Sequence, residues 1–571
     1  MSTWEETGLK PELVSVITHQ LEFTTPTPVQ KASIPLFISN KDVCVESCTG
    51  SGKTLCFVMP IFHKLLARES SSSLPFALIL TPSRELANQI FEVAKQINSH
   101  LGDKYTIDCF IGGRSLPEDI QKIENGAGQI IIATPGRLDD LLGKENTINF
   151  KDIEILVLDE ADRLLDLGFK EKIHSIIEKV PKQRRTGLFS ATMTTQVEAL
   201  VRAGLRNPAY ISVKVKSSIS QNKKEHTKHY LPKGLSNYYS LMESYYDKFP
   251  GLVGFLKSHL NEKIIVFLGT CASTNFYTHI LPKAVEGMSF YRLHGKMKQS
   301  QRDRVYEQFS NSDKGVLLTT DLIARGIDFQ DINWIVQFDA PQNPDYFVHR
   351  IGRTARANKV GNTILFLLNK EDSYLNFLKM RNIEMNYIEL EKNYECYHTM
   401  KNTVLNDREI YEKAQSAFVG YLRYYKEHQL SYIFEFKHLD LGYLAQSFCL
   451  LRIPRVKEIL GKSIDNFVQS EVDPESIKFK DPKKEKQRAQ EKERKALEIA
   501  EVKKKRKEKK QRTRTEKRTA KRKSSYKDLK EFVDEERIIR KIKKGQLQSQ
   551  EVQEFINENP EFTKLFRKKR H

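Results

Sequence analysis

The chain has 571 residues, 39% of them hydrophobic, and a formal net charge of +20; that length allows more than one buried core and suggests three or four domains. No apolar run reaches the roughly 18 residues that a spanning helix needs, and the opening MSTWEETGLKPEL lacks the basic and apolar regions of a signal peptide, so no membrane is expected and the chain should stay inside the cell. The seven cysteines contain no Cys-x-x-Cys pair and suit neither a zinc site nor a disulfide framework; they read as reduced thiols packing as small hydrophobes.

From Lys41 to about Val213, short apolar runs alternate with helical stretches. The runs are Asp42–Glu46, Phe76–Leu80, Ile130–Ala133 and Ile155–Leu158, the pattern of a parallel sheet with helices on both faces. Ser70–Ser73 reads as a surface loop. A polar linker, Lys214–Leu235, interrupts the alternation. It resumes with Ile264–Leu268, Gly315–Thr319, Ile335–Phe338 and Thr363–Leu368. The expected fold is therefore α/β: two tandem parallel-sheet domains, 1–213 and 236–385, joined by residues 214–235.

A helical extension follows at about 400–465. In it Phe418, Tyr421, Leu422 and Tyr425 fall on one face, predicted to pack on the second domain. Residues 480–571 form a Lys/Arg/Glu-rich tail too polar to bury a core, in part solvated helix, with a weak amphipathic stretch near Leu529–Ile539. Asp481–Lys530 holds 23 Lys/Arg against 9 Asp/Glu, a balance of +14, and residues 531–571 add +2, which leaves only +4 for the first 480 residues. A near-neutral body with so basic a tail points to a polyanionic partner.

Three motifs carry chemistry. Thr49-Gly50-Ser51-Gly52-Lys53-Thr54 directly follows a strand. A strand, a glycine-rich turn and a helix place backbone N–H groups around a phosphate chain, with Lys53 on the outer phosphates and the Thr54 hydroxyl on Mg²⁺. The strict pattern has glycine at position 47, where Ser47 stands. Asp159-Glu160-Ala161-Asp162 ends the run Ile155–Leu158; Asp159 is placed for Mg²⁺, and Glu160 for orienting and deprotonating a water. His349-Arg350-Ile351-Gly352-Arg353-Thr354-Ala355-Arg356 lies in the other domain. Its Arg353 and Arg356 can stabilise charge on a γ-phosphate, which would make hydrolysis depend on domain closure.

Residues 1 to about 385 resemble the core of the DEAD-box RNA helicases, motif by motif and in order. Phe23-x-x-Pro26-Thr27-x-Val29-Gln30 resembles the Q motif, implying that Gln30 reads the adenine edge and that Trp4 stands where the family has an upstream aromatic. Asp159–Asp162 spells the family name. Ser190-Ala191-Thr192 resembles the motif coupling hydrolysis to strand separation. Thr320-Asp321-x-x-Ala324-Arg325-Gly326-Ile327-Asp328 implies that Asp328 contacts the ribose. The RNA motifs are Pro82-Ser83-Arg84-Glu85-Leu86-Ala87, with Ser83 where Thr is usual, Gly112-Gly113, and Thr134-Pro135-Gly136-Arg137. Phe267, His294-Gly295, Gln299 and Arg302 follow in the second domain. The resemblance implies two RecA-like domains that bind ATP, Mg²⁺ and RNA. Catalysis would fall to Lys53, Asp159, Glu160, His349, Arg353 and Arg356, and nucleotide contacts to Gln30, residues 49–54 and Asp328. RNA contacts would fall to Arg84, Gly113, residues 134–137, Thr320 and Arg350. Such contacts to phosphate and 2′-hydroxyl tell RNA from DNA without reading sequence.

The flanks resemble the ribosome-assembly members of that family, those acting on the large (60S) subunit above all. Ala417-Phe418-Val419-x-Tyr421, Phe434, Leu439-Asp440 and Leu450-Leu451-Arg452-Ile453-Pro454 carry the likeness, with the tail segment Ile538–Gly545. It implies pre-ribosomal RNA in pre-60S particles and assembly factors as partners and, together with the basic tail, a nucleolar location; one chain contains both halves of the site, so a monomer is expected to suffice outside the particle. Roles in translation or splicing, or an ATP-gated RNA clamp, use the same core.

Overall fold

The computed structural model describes residues 3–47, 50–68, 74–143, 148–213, 234–321, 329–354, 360–462, 464–558 and 560. Residues 1–480 form one compact body and residues 481–571 a second unit.

Within the body, the first sheet comprises β1 (Val43–Glu46), β2 (Ala77–Leu80), β3 (Ile107–Phe110), β4 (Ile130–Ala133), β5 (Ile155–Leu158), β6 (Arg185–Ser190) and β7 (Ala209–Ser212), all parallel in the order β3-β4-β2-β5-β6-β1-β7. The second comprises β8 (Leu235–Met242), β9 (Lys263–Phe267), β10 (Phe290–Leu293), β11 (Gly315–Thr319), β12 (Trp334–Gln337), β13 (Gly361–Leu368) and β14 (Asn386–Tyr387), also parallel, in the order β10-β11-β9-β12-β13-β8-β14. The central strands are continuous apolar runs because helices cover both faces; β2, β4 and β5 are fully buried. Apolar clusters lie on either face of each sheet.

Chain reversals in sheet order place the carboxyl ends of β1 and β5, and of β9, β11 and β12, at the crevices where such folds bind ligands. Both sheets thus present their loops to one cleft. Leu235, expected to close the linker, already begins β8; residues 214–233 of that linker lie outside the described residues.

The extension is built on helices Cys396–Leu405, Arg408–Lys426 and Leu441–Ser447. The expected stripe is buried: Phe418, Tyr421, Leu422 and Tyr425 join the core of the second domain, with Tyr421 and Tyr245 ring centroids 4.5 Å apart. The extension is therefore continuous with that domain's core. The second unit contains helices Pro482–Lys543 and Ser549–Glu558. A 62-residue helix charged along most of its length, with Leu529, Phe532 and Val533 exposed in the expected amphipathic stretch, is carried by propensity, by capping at Asp481 and by pairs such as Lys505–Glu501, 2.9 Å apart.

Candidate active site and RNA face

Parallel β1 delivers its carboxyl end to a tight turn and then to helix Lys53–Ala67. Gly50 and Gly52 take left-handed φ values of 77° and 86°, the conformation that turns amide groups toward a bound anion. Lys53 Nζ donates to the Ser47 carbonyl (2.7 Å), and the Ser47 and Ser51 hydroxyls lie 3.0 Å apart. Ser47 in the usual glycine position thus braces the loop from inside. Thr49 lies outside the described residues.

Gln30 is 3% exposed and faces this loop. It forms a capping box with Thr27, accepting from the Thr27 amide (2.7 Å), while its Nε2 donates to the Gly52 carbonyl (3.0 Å). A Cβ at Gly52 would lie 2.6 Å from that nitrogen, so the close approach requires glycine. Gln30 is therefore a strut of the phosphate loop. Trp4 is 1% exposed and donates to the Phe23 carbonyl (2.8 Å). It packs in the core beneath the Q motif and presents no free ring face.

Asp159 and Glu160 sit where β5 ends. Burial, then the neighbouring Glu160 charge, pushes the Asp159 carboxyl up to about 7 against the opposing pull of Lys53. Glu160 adopts φ 47°, ψ 55°, a strained conformation for a residue with a Cβ. Its buried Oε2 has no hydrogen-bond partner among the described residues. Two crowded, desolvated carboxylates fit a divalent cation that arrives with the nucleotide. Asp159 and Thr54 are the residues that would hold it.

Asp162 links three motifs. Its amide donates to Ser190 Oγ (3.3 Å), its Oδ2 accepts from Thr192 Oγ1 (2.9 Å), and His349 Nε2 stands 3.7 Å from the same oxygen across the cleft. The expected coupling motif thus contacts the acidic tetrad directly. Arg353, 5% exposed, donates from Nε to the His349 carbonyl (3.2 Å), so the turn that carries it follows His349 into the cleft. Arg356 and Asp328 lie outside the described residues.

The RNA motifs of the two domains interlock. Arg84 Nη1 donates to Gln299 Oε1 (3.1 Å), Glu85 is ion-paired with Arg302, and Gln89 donates to the Tyr306 hydroxyl (3.1 Å). Burial and the charges of Arg302 and Arg137 hold the Arg84 guanidinium below its ordinary value; a phosphate would relieve that crowding. Gly113 has φ 88°, and a Cβ there would come within 2.5 Å of Arg84 Nη1. Gly113→Ala is expected to displace that guanidinium and weaken RNA affinity about tenfold, with ATP affinity in the absence of RNA unchanged; anisotropy of a labelled single strand reads the first, and of a fluorescent ATP analogue the second. Thr320 is buried with a hydroxyl that has no hydrogen-bond partner among the described residues. Thr134, Pro135 and Gly136 open helix Pro135–Leu142.

Two of the arginines expected on RNA are committed elsewhere. Arg137 is 7% exposed, donates to the carbonyls of Ile111 (3.2 Å) and Arg114 (2.5 Å), and lies 3.5 Å from Asp119. It shapes the loop that follows Gly113. Arg350 is fully buried. It makes a two-pronged pair with Asp321 (2.5 and 2.7 Å), donates to the Asp339 carbonyl (2.6 Å) and lies over the Phe267 ring. Burial alone would push its charge down, yet Asp321 holds it above its ordinary value. An arginine so enclosed organises the second domain and has no donor to offer RNA.

Like Gln89–Tyr306, a second cross-cleft contact was not expected from the sequence. Arg163 donates to the Tyr346 hydroxyl (2.7 Å) and to the Asp321 carbonyl (3.4 Å), with its guanidinium 5.2 Å from the Tyr346 ring. The signals were present: Arg163 follows the acidic tetrad, and Tyr346 precedes His349 by three residues on one helix.

Residues 27–200 match the DEAD/DEAH box helicase family, residues 247–358 the helicase conserved C-terminal domain, and residues 407–456 the SPB4-like C-terminal extension of ATP-dependent rRNA helicases. The chain is 40% identical to the human ATP-dependent RNA helicase DDX55, over 96% of this chain and 94% of that protein. It is 40% identical to DEAD-box ATP-dependent RNA helicase 18 of Oryza sativa subsp. japonica, over 95% and 86%. Among solved structures, the DEAD-box helicase Mss116 bound to single-stranded RNA and UDP-BeF superposes with a TM-score of 0.70 at 29% identity, covering 80% of this chain and 92% of that one. Dbp5 of S. cerevisiae bound to RNA and ADP BeF3 gives 0.59 at 26%, covering 68% and 96%.

Proposed function

Because the chain belongs to the DEAD-box family of ATP-dependent RNA helicases, we propose that it remodels pre-ribosomal RNA during large (60S) subunit assembly, in the nucleolus. The family is one of RNA-stimulated ATPases, and this chain carries both halves of the machinery. The observation that carries the finer reading is the extension at 407–456, which is similar to that of rRNA helicases and is built into the second domain's core.

The chemistry follows from the cleft. ATP on the loop 47–54 and RNA on the Arg84–Gln299 side each favour closure, so each strengthens binding of the other. Closure brings Arg353 and Arg356 toward the γ-phosphate. Glu160, its carboxylate desolvated, orients the attacking water and takes its proton. Mg²⁺, held by Thr54 and Asp159, would neutralise charge on the β- and γ-phosphates. Asp162 relays the state of the site, because Thr192 and His349 both engage the same oxygen.

In vivo crosslinking tests the target. Crosslinks concentrated in pre-60S ribosomal RNA support the reading; crosslinks to messenger or spliceosomal RNA overturn it. The chain is proposed to be monomeric outside such particles, since one chain holds the whole site.

The tail is proposed to add affinity without sequence choice. Because residues 481–571 form a separate unit, truncation at Lys480 leaves the body intact. The truncated protein should bind RNA with a shallower dependence of log affinity on log salt, since fewer counterions are released. An unchanged slope would assign the tail to another partner.

A further inference from the structure

The extension meets the arginine shell of the second domain at the end of its longest helix, around Tyr424. Tyr424 lies near the end of helix Arg408–Lys426 and is 8% exposed. Its hydroxyl donates to the Ala340 carbonyl. Its own carbonyl accepts from Gln342 Nε2 (2.8 Å), and the Gln342 carbonyl accepts from the Gln429 amide (3.2 Å). Three hydrogen bonds from the extension therefore clamp residues 340–342, the segment that leaves β12.

That segment leads directly to Arg350. The Asp339 carbonyl, one residue before the clamp, accepts from Arg350 Nη1 (2.6 Å), and the Asp339 carboxylate accepts from the Gly269 amide (2.8 Å). The Tyr424 ring occupies the space beside Gly269, where a Cβ would lie 2.7 Å from it. Arg350 in turn holds Asp321, whose carbonyl Arg163 reaches across the cleft. Arg350 precedes Arg353 by three residues at the end of helix Asp345–Ile351.

We infer that Tyr424 is a positioning residue for ATP hydrolysis: it fixes segment 339–342 and, through Arg350, the turn that carries Arg353. The extension is thereby part of the hydrolytic apparatus, whatever RNA it also engages. A displacement of well under an ångström at Arg353 suffices to matter, since stabilising a transition state is far more sensitive to geometry than binding a ground state is.

Tyr425 supplies the control. It is the next residue on the same helix, 3% exposed, and its hydroxyl donates to Glu371 Oε1 (2.9 Å), on segment Asn369–Glu371. Tyr424→Phe and Tyr425→Phe each delete one buried hydroxyl that ties the extension to the second domain. Only the first deletes a tie leading to Arg350.

The experiment is steady-state ATPase on both full-length variants with a generic unstructured RNA, alongside thermal melts. Tyr424→Phe should lower kcat about fivefold to tenfold, with the KM for ATP changed by less than about twofold, whereas Tyr425→Phe keeps its kcat. Should Tyr424→Phe fold poorly, Gln342→Ala cuts the same clamp from the loop side and should show the same kcat effect. Unchanged kcat in the folded Tyr424 or Gln342 variant overturns the inference. So does a parallel fall of kcat and melting temperature in the Tyr424 and Tyr425 variants, which would mark the tie as structural only. The assay uses no ribosomal RNA, so its outcome is independent of the pre-60S reading.

Discussion

Glu160→Gln should lower RNA-stimulated ATP turnover by at least about a hundredfold and leave the protein clamped on RNA, because a positioned general base contributes roughly 10²–10⁴ in rate. The substitution keeps the shape of the side chain and removes its basicity. It also removes the charge that, after burial, does most to raise the Asp159 carboxyl. Asp159 therefore ionises more readily in the variant, and nucleotide binding persists while hydrolysis stops. Closure is spared as well: the cross-cleft contacts run through Asp162–His349, Arg163–Tyr346 and Arg84–Gln299, none of which uses Glu160. Single-turnover ATPase and RNA dissociation in ATP, measured together, check both halves. Turnover near wild type would remove Glu160 from the role; turnover lost along with RNA retention would mean that Glu160 is needed to close the cleft.

How much of this was legible in the sequence depended on what each residue packs against. Strands with helices on both faces read as unbroken apolar runs; β4, β5 and β11 fall where expected to the residue. Edge strands did not announce themselves: β3, β7, β10 and β14 each leave residues partly or fully exposed and carry mixed side chains. Buried β6 was hidden by its own sequence, Arg-Thr-Gly-Leu-Phe-Ser, whose glycine interrupts the run and leaves room at position 187 for Phe37 and Phe189. At the site, contiguous motifs were readable because a tight turn or a strand end demands particular residue types at fixed spacing. The partners of an arginine were not readable. Residue type and position alone cannot say whether a guanidinium meets a phosphate, as Arg84 is placed to do, or is neutralised from within. The neutralising carboxylates, Asp321 for Arg350 and Asp119 for Arg137, come from other elements of the fold.

Arg350 gives the sharpest test of that distinction. Arg350→Ala should destabilise the second domain by about 3–5 kcal/mol, the usual effect of removing one partner from a buried ion pair. The Asp321 carboxylate would lose both of its arginine hydrogen bonds, and the Asp339 carbonyl a third. A thermal melt should fall by on the order of 10 °C. Arg350→Ala combined with Asp321→Ala should cost less than the sum of the two single changes, since the second substitution removes the charge that the first leaves unpaired. An RNA contact behaves differently: a residue whose donors point at phosphate can be truncated with little effect on the melt of the free protein, and RNA affinity alone falls. An unchanged melting temperature with weakened RNA binding would therefore return Arg350 to the RNA face. A large fall in the melt, partly restored by Asp321→Ala, would leave its guanidinium as the internal strut from which the Arg353 turn hangs.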